Sequence, residues 1–588
     1  MDGGTACRDA AVNGVARAMV ARSPGRGGTN GNGHTGGNGR EIAIREDVAT
    51  GGPPPLCKIN VTDRTLPGLM TEAEKSLIEQ NPYAGGTMQA FVRGGKMARI
   101  QINELGDGSI GQWSQAALTE RLANAAEWRR TGQDRNGNPT DKHARPPEWI
   151  AKTLLERGEY PDLPPLLGMA TAPVFAPDGS LCSEPGYHRK IGIYYHTAKP
   201  LDLPDTTPTL ANLATAKGLL DELLCDFPFA QDGPETKAVS ASRAHAIALI
   251  ILPFVRHLIG ANPTPMHLID APVPGAGKGK LAQACCKIYD PALALMAPPT
   301  DEQEFSKTLF SALMGGRTHI FIDNAERLDS EILAEILTAP VHSCRLFGVQ
   351  SMRDVPVRAV WLCTSNNPTA SRDMVRRSAW IRLEPKQARP EDRTGFRHPL
   401  LQDWADRNRG PLVGAVITLV RKWVLDGMPD WDGIPMGSYE RWSQVIGGIL
   451  RSCEIPGFLE NREKLREKSD TAGDAMGGFV DAWRKAHDAT AMSAKELLTL
   501  ASEHLGITFA EDSASATAAA TKLGHALRKA QGRVYESGEK DDEGQPILLQ
   551  LVAGPKRHSA KTYRIIKSGE VSGEVVLPLE HNGEVEGG

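Results

Sequence analysis

The chain has 588 residues, of which 40% are hydrophobic, 23% charged and 5% aromatic. With 67 Lys and Arg against 71 Asp and Glu the formal charge is −4, which excludes a globally basic nucleic-acid coat and confines any DNA contact to a local patch. Nine Cys without a CxxC pair exclude a zinc ribbon or disulfide scaffold and fit a reducing cytoplasm, and the longest apolar stretch, 246–258, is too short to span a bilayer.

The length suggests about three or four domains. Residues 1–55 are rich in Gly, Asn and Arg and cannot bury enough apolar surface to offset ordering, so they read as a disordered leader. Residues 56–204 read as an α+β domain. The expected elements are a helix at 69–80, a hairpin turning at Gly94-Gly95, a helix over 121–130, a helix opened by Pro146-Pro147, a turn at Asp178-Gly179 and a strand at 191–195. Helices are expected at 211–224 and 240–258. Alternating strands and helices over 262–385 then predict a parallel sheet. Residues 396–488 read as a helical lid.

The informative segment is 266–282. An apolar strand, 266–269, enters a Pro/Gly loop that ends at a helix. Pro274, Gly275, Ala276, Gly277, Lys278, Gly279 and Lys280 form the second half of a Walker A loop. Backbone N–H groups and a helix N-terminus make an anion nest there, and Lys278 reaches terminal phosphates. Pro272 stands where the first Gly belongs, and Gly279 where a magnesium-ligating hydroxyl belongs. Taken alone, the loop favours nucleotide binding over the alternative of an incidental strand-to-helix turn.

A second apolar strand, 318–322, runs into Asp323, as a magnesium-holding Walker B carboxylate would. Asn324 follows it in place of the usual Glu. An amide orients water but takes no proton, and Glu326 substitutes only if the local turn aims it inward. A third strand, 359–363, ends in Thr364-Ser365-Asn366-Asn367-Pro368, where Asn366 suits a γ-phosphate sensor; Asn-Pro is equally a turn pair. Arg376 and Arg377 suit an arginine finger acting on a neighbouring subunit, or else close a solvated basic helix.

As a set, IDAPVPGAGKGKLA, IFIDN, WLCTSNNP and DMVRR…IRL resemble the AAA+ ATPase module of phage, plasmid and integrated-element DNA primase–helicase proteins, near the superfamily 3 helicases. The resemblance extends to 437–442, 447–450 and 456–462, similar to the lid of such proteins, and to 91–95 and 186–194. It implies an AAA+ P-loop domain over 205–395 and ATP-driven unwinding or replication initiation on mobile-element DNA. It also implies ATP and magnesium as cofactors, and a homo-oligomeric ring, six subunits being the expected number. It implies no primase activity, because no two-carboxylate metal centre for nucleotidyl transfer stands in the sequence.

The C-terminal module, 489–567, opens with a capping box, Ser493 to Glu496. Two helices and three strands follow, a winged-helix pattern. Ten Lys and Arg stand against five Asp and Glu over 521–567. Lys522, Arg528, Lys529, Arg533, Lys561 and Arg564 are the expected phosphate contacts on single-stranded or forked DNA. The acidic run 539–543 favours the alternative of a protein-binding winged helix. Residues 568–588 read as a flexible acidic tail. The expected whole is a multidomain α/β protein: α+β N-terminal domain, central P-loop AAA+ domain, helical lid and C-terminal winged helix. The alternatives are a nucleotide-binding replisome scaffold that hydrolyses weakly or not at all, and a small-molecule kinase.

Overall fold

The computed structural model describes residues 53–568 except 63, 85, 234–238, 300, 346–351, 388, 470, 508–512, 542–544 and 558–560. The expected leader up to residue 52 and tail from 569 lie outside the described residues.

At the centre is a five-stranded parallel sheet. Across it run Leu295–Met296, His319–Ile322, Val360–Asn366, Met266–Ala271 and Ser378–Arg382. The strand entering the Gly-rich loop is therefore flanked by the amide-tipped strand, which separates it from the strand leading to Asp323. These strands are largely apolar because both faces are covered, with polar residues such as Asp270, Thr364 and Arg382 toward their C-terminal ends. Alternate residues supply two cores: Ile269, Phe321, Leu362 and Ile381 on one face, Leu268, Ile320, Trp361 and Trp380 on the other. Helices Ala241–Val255 and Lys278–Cys286 cover the first face, and Glu302–Met314 and Glu331–Ile336 the second. Helix Ala241–Val255 is buried along almost its whole length, which accounts for its apolar sequence. No helix among the described residues is long and apolar enough to cross a membrane.

Helices Arg409–Leu425 and Glu440–Ser452 join the first core through Trp423 and Trp442. Their approach needs Gly448, where an added Cβ would stand 2.3 Å from the Pro429 carbonyl oxygen. Between the Asp323 strand and the amide strand, Val341–Arg345 and Met352–Pro356 form an antiparallel hairpin.

The N-terminal region holds small sheets. The expected hairpin forms at Gly94-Gly95, both at positive φ (55° and 69°), as a two-residue turn matching strand twist requires. The helix expected over 121–130 is a correction. Helix Gln115–Ala125 stops, and Ala126–Gln133 is a strand, pairing parallel with Cys57–Asn60 and antiparallel with Pro139–His143. Trp128 is 3% exposed and its indole donates to the Leu122 carbonyl at 2.9 Å. Sheet partners distant in sequence override the local helical preference there.

In the C-terminal region, Val534–Lys540, Pro546–Ala553 and Thr562–Lys567 pair in antiparallel succession, with Met492–Ser493 on the last. The Ser493–Glu496 box closes: the Ser493 N–H donates to Glu496 Oε2 at 2.6 Å and the Glu496 N–H to Ser493 Oγ at 3.4 Å. The helix itself begins later, at Leu498. Helix Thr471–His487, assigned by sequence to the lid, shares the C-terminal core instead. Its Phe479, Val480 and Trp483 pack with Leu523, Leu549 and Ile565.

Candidate functional site

The Gly-rich loop leaves the sheet at Ala271 and returns as helix Lys278–Cys286. Gly275 (φ 77°) and Gly277 (φ 90°) both lie in the left-handed region. Gly275 is also crowded: an added Cβ would meet Glu391 Oε2 at 2.7 Å. Pro274 through Lys280 line a cleft of about 1140 Å³ with Asp323, Asn324, Thr364 and Asn366. Three segments separate in sequence thus reach one cavity at the C-terminal ends of parallel strands, where α/β sheets bind ligands.

Lys278 is the central cation. Its ammonium donates to Asn366 Oδ1 at 2.5 Å, and Asn366 Nδ2 donates to Asn324 Oδ1 at 3.2 Å. Burial lowers the Lys278 pKa, and the nearby Asp270 and Asp323 carboxylates oppose that shift. Asn366 belongs to the strand itself, opposite Ala271, so sheet register fixes its position. Asn324 sits at φ 58°, a conformation Asn tolerates better than Glu. Glu326 is exposed and is not part of the cleft wall.

Thr364 was not foreseen. Its hydroxyl donates to Asp323 Oδ1 and accepts from the Asn324 N–H at 2.7 Å, so one side chain fixes both residues. Beneath the loop lies a second unforeseen group. Asp270, 1% exposed, pairs with Arg382 Nη1 at 2.5 Å and accepts from the Asn367 N–H at 2.8 Å. Arg382 also donates to Asn367 Oδ1 at 2.9 Å. This tie holds the peptide next to Asn366 against the strand that feeds the loop.

The mouth of the cleft comes from Cys225–Pro228 and the segment 385–403. Arg393 lies 4.9 Å from the Phe396 ring and donates to the Asp226 carbonyl. His398 contacts Glu222 Oε1 at 3.0 Å and stacks on Trp404 at 4.3 Å. No short motif marks these residues, whose polar partners Asp226 and Glu222 lie 167 and 176 positions away.

Arg376 and Arg377 line no part of the cleft. Both pair with Asp373, Arg376 at 2.5 Å and Arg377 at 2.9 Å, with side chains 61% and 13% exposed. In the C-terminal region Lys522, Arg528, Arg533 and Lys561 are exposed and Arg564 is half-buried. The Lys529 side chain lies outside the described residues, as do residues 542–544.

The loop conformation fits a phosphate chain: glycines at positive φ, a helix N-terminus and a buried ammonium converge. The fit to magnesium rests on Asp323 alone, with Gly279 supplying no side-chain oxygen. Among the described residues there is no group of three His, Cys, Asp or Glu able to hold a metal.

No family model and no curated protein matches the chain. Forty-five solved chains do match. One is the JCV helicase bound to an N-(4-(2-(thiazolo[5,4-c]pyridin-2-yl)phenoxy)phenyl)acetamide ligand, 11% identical, with 44% of this chain and 67% of that chain covered and a TM-score of 0.18. A superposition that loose fixes neither fold nor function, so the functional reading stands on the cleft itself.

Proposed function

We propose that the chain is an ATP-driven DNA motor of the AAA+ class, helicase-like and working as a ring on the DNA of a mobile genetic element. One observation carries the reading: the amide-tipped strand lies between the loop strand and the Asp323 strand, so that Lys278, Asp323 and Asn366 face one cleft. In this reading the loop N–H groups and Lys278 bind phosphates, and Asp323, held by Thr364, takes magnesium through one carboxylate. The metal would supply charge neutralisation on the phosphate oxygens. Asn366 and Asn324 orient a water, and Arg376 or Arg377 reaches a neighbour's nucleotide. The basic residues of a C-terminal winged helix would meet DNA phosphates.

The test is phosphate release by the full chain with and without single-stranded DNA. DNA-stimulated release that rises steeply with protein concentration is expected. Mixing Lys278→Ala with Arg376→Ala or Arg377→Ala subunits should restore part of it, because each retains what the other lacks. The second reading, a nucleotide-binding scaffold, is favoured by Asn324 and Gly279, which put no proton-accepting Glu directly after Asp323 and no hydroxyl directly after Lys278. Tight ATP binding with no release at any concentration would select it.

A further inference from the structure

The opposite end of the parallel sheet holds a second cationic site. A cavity of about 40 Å³ opens where strand Phe91–Arg93 of the N-terminal region meets the beginnings of the Asp323 and amide strands. Arg93, Arg256, Arg317 and Arg358 line it with His257 and Thr318, and its wall contains no Asp or Glu.

Two of these arginines are buried and held by carbonyls alone. Arg93, 5% exposed, donates from Nε to the Met314 oxygen at 2.9 Å and from Nη1 to Leu166 and Leu167 at 2.9 and 2.7 Å. Met314 ends helix Glu302–Met314, whose dipole offsets part of the charge. Arg256, 4% exposed, donates to Gly260, Asn262 and Val357, and its Nε is buried with no partner. Burial lowers Arg93 to about 10 and, with Arg358 adding repulsion, Arg256 to about 9, so both remain cations at neutral pH. Burial, with Arg256 and Arg358, lowers His257 to about 3, so it is neutral. The carboxylate beside the cavity, Asp290, already accepts from Thr318 Oγ1 at 2.7 Å and faces His319 Nδ1 at 3.3 Å.

Arg317, exposed, and Arg358, half-buried, make no side-chain hydrogen bond or ion pair among the described residues. Arg256 and Arg358 thus repel one another at the cavity, with Arg93 and Arg317 in the same wall and Asp290 engaged by Thr318 and His319. A buried cation so placed is costly unless an anion answers it. The volume holds roughly three waters at about 10–15 Å³ each, the room a single phosphate group needs.

We propose that this seam is an oxyanion site that takes one phosphate group, with Arg317 and Arg358 as its binding forks over the fixed charges of Arg93 and Arg256. Guanidinium forks match phosphate oxygens in pairs. The phosphate is either free or part of a nucleic-acid backbone. The site joins the N-terminal strand to the base of the sheet, so its occupancy ties those parts together.

The test uses the full chain carrying Lys278→Ala, which weakens phosphate binding at the cleft. Thermal shift and calorimetric titration are run with inorganic phosphate and with a 12-nucleotide oligo-dT. Saturable binding of either probe, weakened roughly tenfold by Arg317→Gln and further by adding Arg358→Gln, is expected. A response to phosphate identifies a free ligand; a response to the oligonucleotide alone identifies a backbone phosphate. Should the double variant misfold by circular dichroism, the exposed Arg317→Gln change decides alone. Binding of neither probe, or binding indifferent to Arg317→Gln, overturns the proposal. The outcome is independent of ATP turnover, because the test chain lacks Lys278.

Discussion

At the C-terminal end of the parallel sheet, Lys278 stands near two carboxylates, Asp270 and Asp323, and donates to Asn366. At the N-terminal end, Arg93 and Arg256 are buried to a similar degree, yet only main-chain oxygens answer them. The first arrangement is nearly neutral before any ligand arrives, so its geometry is held in advance and a ligand exchanges partners within it. The second has positive charge whose neighbouring acid, Asp290, is already engaged by Thr318 and His319. Preorganised polar sites of the first kind favour chemistry, whereas fixed uncompensated charge favours plain binding. The comparison predicts that changes in the cleft alter stability, affinity and rate separately, and that changes at the seam alter anion affinity.

The largest expected effect lies below the cleft. Arg382→Ala leaves Asp270 buried without its cation, and breaking a buried pair of this kind costs about 3–5 kcal/mol. Denaturant unfolding should show that loss, while Asp270→Leu combined with Arg382→Met should recover most of it. Equal loss in both variants would mean that the network matters for its shape and not for its charges.

Lys278→Ala comes next. Removing one charge-assisted donor costs about 1.5–3 kcal/mol, so ATP affinity should fall roughly ten- to a hundredfold in a fluorescent-nucleotide titration. Fold stability should stay nearly constant, because Asn366 remains held by Asn324. Unchanged affinity would reduce the Gly-rich loop to a turn.

Thr364→Val separates support from contact. The change keeps the volume but removes the hydroxyl that holds Asp323 and receives the Asn324 N–H. Loss of a supporting bond of this type lowers metal affinity by about ten- to a hundredfold. The magnesium dependence of nucleotide binding should shift by that factor while metal-free nucleotide affinity holds. A shift in both would place Thr364 against the phosphates themselves.

These residues also show what the sequence carried. Asp323 and Asn366 are legible because each sits at the end of an apolar run, and Lys278 because a Gly-rich loop precedes it and a helix begins with it. Thr364 becomes meaningful only once the register opposes Asn366 to Ala271. Asp270 and Arg382 are 112 positions apart and meet because their strands are neighbours, a fact of sheet order that no local pattern encodes. The cleft mouth, with Phe227, Arg393 and His398, has no motif because its segments meet only through contacts distant in sequence. Trp128 misled because its strand partners are Cys57–Asn60 and Pro139–His143, both outside the window that suggested a helix. Trp483 misled similarly: its helix is amphipathic whichever core it joins.

The smallest expected effect tests why the cleft departs from the usual pattern. Gly279 lies in the first turn of helix Lys278–Cys286, and a Cβ added there has nothing within 4 Å. Gly279 lies outside the positive-φ residues, so its backbone demands no glycine. Sterics therefore do not explain its presence, and Gly279→Ser should fold normally. Replacing a helical Gly removes backbone entropy from the unfolded chain and should stabilise by roughly 0.5 kcal/mol. If Asp323 is the sole protein ligand for magnesium, the new hydroxyl supplies a second one, and ATP binding should need less magnesium. Asn324→Glu offers the contrasting case, because Glu lacks the short amide that lets Asn tolerate φ 58° and so costs about 1 kcal/mol of backbone strain. Phosphate-release assays across a magnesium series decide between the two departures. Turnover raised by Gly279→Ser alone would show that metal ligation limits the site, and turnover raised only by Asn324→Glu would show that water activation does. No gain from either, or from both together, would favour the non-hydrolysing scaffold.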